Sequence, residues 1–98
     1  MNIENIKTVI KNLKMMGDDD FDMSNPIYCI AGIIRNIEKE TDKYESTLIK
    51  SYFAISFKKA LKIYAGAEDE DFYEKATRKI AIKMLKRLIK TNKVKWKI

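Results

Sequence analysis

Ninety-eight residues, 46% hydrophobic and 35% charged, can bury one modest core, and one proline with three glycines is too few turn formers for an all-β fold. The formal charge of +6 is segregated: Glu74 to Ile98 hold ten basic residues and one acid, a +9 segment, while the first 73 residues sum to −3. That asymmetry points to an anionic partner, and the absence of histidine removes the commonest general base and excludes zinc sites of the Cys/His kind.

Hydrophobic spacing predicts an all-α chain of four helices in one domain spanning residues 1–98. The first helix is read from Ile3, Ile6, Val9, Ile10, Leu13 and Met16, with Asn2 as N-cap and Gly17 as terminator. Glu4, Lys7, Lys11 and Lys14 interleave with those apolar positions, the pattern of an amphipathic helix and not of a signal peptide. An acidic linker, Asp18 to Ser24, follows. Asn25 and Pro26 read as the N-cap and first position of a second helix, which shows Ile27, Ile30, Ala31, Ile34 and Ile37 on one side and ends near Glu40. The apolar run from Ile27 to Ile34 is far too short to span a bilayer.

A third, longer helix is expected from Thr41 or Asp42 to about Ala65, stopped by Gly66, with a break near Ser51 left open. Its apolar positions include Leu48, Ile49, Tyr52, Phe53, Phe57, Ala60, Leu61 and Tyr64. Glu68 to Asp71 open a fourth helix that runs to about Thr91, acids at its start and lysines at its end suiting the macrodipole. Residues 92–98 form a basic tail in which lysines alternate with Val94, Trp96 and Ile98, expected as a short extended segment with Trp96 docked on the body.

On a helical wheel the fourth helix divides into two arcs. Lys75, Lys79, Lys83, Lys86, Arg87 and Lys90 fill roughly one third of the circumference, and Ala76, Ile80, Ala81, Ile82, Met84, Leu85, Leu88 and Ile89 fill the rest. An apolar arc that wide, with a similarly broad third helix, predicts a homodimer, since large exposed apolar patches are unusual on monomers. The alternative is that these two helices are the central pair of a small four-helix bundle.

The basic arc and tail are the candidate partner-binding site: Lys75, Lys79, Lys83, Lys86, Arg87, Lys90, Lys93, Lys95, Trp96 and Lys97. Either an acidic protein surface or nucleic-acid phosphate would satisfy it, and Trp96 adds a ring able to stack, although a core anchor is the commoner use of such a residue. The bland alternative is a solvated lysine-rich face. Seventeen lysines against three arginines suit phosphate or acidic protein better than base reading, which favours the bidentate arginine fork. That bias, with fifteen isoleucines, is the mark of an AT-rich genome.

Asp18, Asp20 and Asp22 have the alternation that opens an EF-hand loop, but Met23 stands where glycine is needed and Cys29 where a bidentate glutamate is needed. A solvated acidic linker is expected there, and no metal. Cys29, the sole cysteine, falls in the first turn of the second helix, where a helix N-terminus can lower a thiol pKa; a buried, inert cysteine is the other reading. One cysteine makes a reducing cytoplasm the expected compartment. No phosphate-binding loop, dinucleotide fingerprint or nucleophile elbow occurs, so no catalytic residue and no cofactor are expected.

The stretch DMSNPIYCIAGIIRNI, Asp22 to Ile37, resembles part of a family of small uncharacterised helical domains of phages and bacteria, through Cys29, Ala31 and Gly32. Where that family often carries a Trp-Asn-Asp element, this chain has Gly66, Ala67, Glu68 and Asp69. The resemblance implies an all-helical fold and a phage setting, hence the host cytoplasm. The expected function is a non-enzymatic interaction protein, a phage-encoded inhibitor or regulator that binds a host macromolecule through the basic C-terminal helix and tail. The alternative is a nonspecific nucleic-acid-binding protein.

Overall fold

The structure, a computed structural model, describes residues 1–25, 27–39, 42–65 and 72–97. Six helices are seen: α1 (Ile3–Met15), α2 (Ile30–Glu38), α3 (Glu45–Phe53), α4 (Phe57–Ala65), α5 (Phe72–Lys75) and α6 (Arg78–Thr91), with a 3₁₀ turn at Asp18–Asp20 between the first two. No strand occurs among the described residues. The all-α expectation holds, but among the described residues six shorter helices stand in place of four, and local capping explains the breaks.

The second helix begins later than expected. The Asn25 side chain accepts the Ile27 amide at 2.9 Å, and the Asp22 amide donates to the Tyr28 carbonyl at 3.1 Å, so the segment closes into a turn. Cys29 then caps α2, its Sγ accepting the Gly32 amide at 3.4 Å. Ile27 and Tyr28 are left exposed instead of lining a helix face. Pro26, Glu40 and Thr41, expected at helix boundaries, lie outside the described residues.

The expected third helix is two. Ala54 ends α3 in the left-handed region at φ 51°, and the Ser56 hydroxyl accepts the Lys59 amide at 3.2 Å at the start of α4. The expected fourth helix is also two. Thr77 caps α6, its Oγ1 accepting the Ile80 amide at 3.4 Å, so Lys75 belongs to α5 and not to the α6 stripe. The first turn of α6 holds Arg78 and no acid, and Glu68 to Asp71, expected to open this helix, lie outside the described residues, as do the expected stop Gly66 and the terminal Ile98. Asn92, at φ 59°, ends α6.

The core is one cluster. α1 supplies Ile6, Val9, Ile10 and Leu13; α2 and α3 supply Ile30, Ile34, Leu48, Ile49 and Phe53; α4 adds Ala60 and Ile63; α6 contributes Ala81, Ile82, Met84, Leu85 and Leu88. α1 packs against α6, α3 and α2, and α3 packs against α2 and α4. The α1 start is tied to the α3 end: the Asn2 amide donates to the Phe53 carbonyl at 2.7 Å and Asn5 Nδ2 to the Tyr52 carbonyl at 2.8 Å, filling two of the acceptors that a helix end leaves open. The apolar arc of α6 is thus covered within the chain, and it no longer argues for a second copy. Among the described residues no helix is long and apolar enough to cross a membrane.

Candidate functional site

The surface that carries the basic charge is built on α1 and α6. Arg78, in the first turn of α6, reaches the end of α1: Nη1 donates to the Leu13 carbonyl at 3.0 Å, while Nε and Nη2 donate to Asp18 Oδ1 at 3.0 and 2.8 Å. At the opposite end Ile89 meets Lys7 and Ile10 across a shared groove. The two helices therefore run antiparallel. The Arg78 guanidinium complements the negative end of α1 and fixes how the helices align.

Each helix points a lysine stripe outward. On α6, Lys79, Lys83, Lys86 and Lys90 recur at intervals of four, three and four, and all are exposed. On α1, Lys7, Lys11 and Lys14 recur at intervals of four and three, and all are exposed. At about 100° per residue the α6 stripe spans about 60°, with Ile89 on its α1 flank and Arg87 on the other. The stripes are therefore neighbours, separated by the groove. Among the described residues one carboxylate pairs with the α1 stripe, Glu4 at 4.0 Å from Lys7, and it is largely solvated.

The tail lies on the Arg87 flank. Arg87 Nη1 donates to the Lys95 carbonyl at 2.8 Å, Lys59 Nζ to Asn92 Oδ1 at 2.8 Å, and Trp96 Nε1 to the Lys62 carbonyl at 3.0 Å. The Lys62 carbonyl is one of those that the end of α4 leaves open. The Trp96 ring meets Phe72 edge-on, centroids 5.1 Å apart. Trp96 is docked on the body, as expected, and both its ring and its N–H are used by the fold.

Of the ten expected site residues, Lys79, Lys83, Lys86 and Lys90 thus share one stripe. Lys93, Lys95 and Lys97 are exposed on the pinned tail, Lys75 is exposed on α5, and Arg87 and Trp96 hold the tail in place. Lys7, Lys11 and Lys14 are the residues that sequence reasoning left out of the site. Their spacing was visible, but the pairing of α1 with α6 was not.

The acidic linker is used internally. Asp18 pairs with Arg78, Asp20 Oδ2 accepts the Gly17 amide at 3.1 Å, and Asp22 Oδ1 accepts the Ser24 hydroxyl and amide at 2.6 and 2.9 Å. The Ser24 bonds hold the Asp22 carboxyl below its ordinary value. Among the described residues no group of acids, cysteine or histidine is placed to hold a metal ion.

Cys29 is buried, and burial pushes its thiol above the ordinary 9.0, outweighing the backbone N–H groups of the helix start. Of the two readings, burial and the raised thiol favour the buried cysteine over the activated one. A raised folded-state pKa means that the native state holds its proton more tightly than the unfolded chain does. Stability is then full below pH 9.0 and falls as pH climbs past it. The urea midpoint is expected to stay level from neutral pH to that point and to drop beyond it. In Cys29→Ala the drop should shift toward the range of Tyr52 and Tyr64, whose phenols burial also raises from 10.0. A midpoint that rises through this window would contradict the placement of Cys29.

No family model, curated protein or solved structure matches the chain. The functional reading therefore stands on the chain's own residues.

Proposed function

We propose that this chain is a non-enzymatic interaction protein that binds an acidic protein surface through the lysine face of α1 and α6. The observation that carries this reading is the juxtaposition of two outward lysine stripes, Lys7, Lys11, Lys14 and Lys79, Lys83, Lys86, Lys90, on antiparallel helices. Like charges gathered on one face repel one another, and an anionic partner relieves that repulsion. A regulator or inhibitor that covers its target is the biological form of this proposal, phage-encoded and acting in the host cytoplasm, by the resemblance of Asp22 to Ile37.

Lysine point charges carry little base information, and the arginine that flanks the α6 stripe, Arg87, is engaged with the Lys95 carbonyl. Fluorescence anisotropy with an acidic peptide and, separately, a DNA duplex tests the reading. Peptide binding that weakens with salt is expected. Tight duplex binding with no peptide binding would transfer the face to nucleic acid, and binding of neither would reject it.

The homodimer is proposed on a narrower base than the sequence offered. Phe57 and Leu61, one turn apart on α4, are 49% and 39% exposed. Light scattering should return twice the 11.5 kDa chain mass at micromolar concentration. A chain that stays monomeric on concentration would remove this proposal without touching the lysine face.

A further inference from the structure

Between the two stripes lies a groove of about 440 Å³ lined by Lys7, Ile10, Lys11, Lys14, Lys86 and Ile89. Its composition is specific: two isoleucines form the floor, four lysines form the rims, and among the described residues no carboxylate lines it. Ile10 is 7% exposed and belongs to the core, while Ile89 is half-buried and packs against that core from the groove side. From Lys7 to Lys14 the α1 rim runs about 10 Å, two helical turns at ~1.5 Å per residue.

We infer that this groove is a docking slot for an acidic amphipathic helix of a partner protein, whose apolar edge sits on Ile10 and Ile89 and whose flanking Asp or Glu side chains meet the two lysine rims. The inference rests on the proposed function and adds the shape of the partner. Charge complementarity selects the sign: four ammonium groups line the slot, and the carboxylate paired with them among the described residues is the largely solvated Glu4, 4.0 Å from Lys7. The floor selects the class. A duplex presents phosphates on its outside, with its thymine methyls recessed in the major groove, whereas an amphipathic helix presents an apolar stripe between charged rows. The length selects the element, since an α1 rim two turns long, facing Lys86 of α6 across the floor, matches side chains spaced at i, i+3, i+4 and i+7.

The test uses the full chain and two labelled helical peptides of about 18 residues. One carries Leu at i, i+3, i+4 and i+7 with Glu on both sides. The other has the same charge with each Leu replaced by Ser. The Leu peptide is expected to bind at least about tenfold tighter, the effect of burying part of one or two aliphatic side chains. Ile89→Ser should narrow that gap, and Lys11→Glu, at an exposed position, should weaken both peptides alike while leaving the thermal melt in place. Equal affinity for the two peptides would overturn the docking slot and leave the charge reading standing. Binding of neither peptide would overturn both, as would a duplex that binds in preference to the Leu peptide.

Discussion

Met84→Asp is expected to leave the chain largely unfolded, whereas Lys83→Asp, one residue away, is expected to melt close to the wild type. Met84 is 0% exposed, packed in the core between α6 and the rest of the chain, and Lys83 stands in the exposed stripe. An aspartate at position 84 would either carry a charge where nothing pairs it or take up a proton to avoid doing so. It would also give up the packing of the methionine side chain. Each of these costs several kcal/mol, and together they match the whole stability of about 5–10 kcal/mol expected for a chain of this size. An exposed substitution away from caps and networks costs about 1 kcal/mol or less. Circular dichroism melts of the two variants compare them directly, and equal shifts would mean that α6 is rotated from the phase described.

Reversing Lys79, Lys83 and Lys86 to Glu together is expected to weaken binding to an acidic partner by at least about a hundredfold. The three changes take the net charge from +6 to zero and turn three attractions into repulsions. Each exposed ion pair in water is worth up to about 1 kcal/mol, so reversal of three costs roughly 3 kcal/mol or more, and every 1.4 kcal/mol is tenfold. All three residues are exposed, so the melt should stay close to that of the wild type. Salt separates the partner classes. On duplex DNA, log affinity falls with log salt at about −0.9 per phosphate, so contact with ~4–6 phosphates gives a slope near −4 to −5. A peptide lacks the condensed counterions of a duplex and should give a shallower line. A triple variant that binds within about threefold of wild type, roughly 0.6 kcal/mol, would show that the stripe is solvated surface.

The phase of α6 was legible because its lysines and apolar residues keep a 3.6-residue period through fourteen residues, and the tertiary structure obeys that period. Asn2 was legible as a cap and accepts the Asn5 amide at 3.0 Å. The sequence leaves a break near Ser51 open, which falls at Ala54, whereas the break at Thr77 was hidden because the apolar spacing continues across it; Ser56 and Thr77 act as caps only once the chain has turned. Asn25 looked like a helix cap because the same Asx hydrogen bond begins both a helix and an isolated turn; the competing bond from Asp22 to Tyr28 decided for the turn. The wide apolar arc of α6 looked like spare surface until the chain folded over it. The groove was out of reach for a related reason: periodicity tells which face of a helix is buried, and not which helix buries it. Lys7, Lys11 and Lys14 became part of the basic face when Arg78 clamped α6 to the end of α1.

The most direct measurement is a two-dimensional amide NMR titration of the full chain with the acidic Leu peptide. Shift changes are expected to concentrate on residues 7–14 of α1 and 79–90 of α6, with Ile89 among the most affected and the α4 surface at Phe57 and Leu61 unmoved. Changes confined to α4, or scattered evenly over all exposed lysines, would contradict a binding face built where α1 and α6 meet.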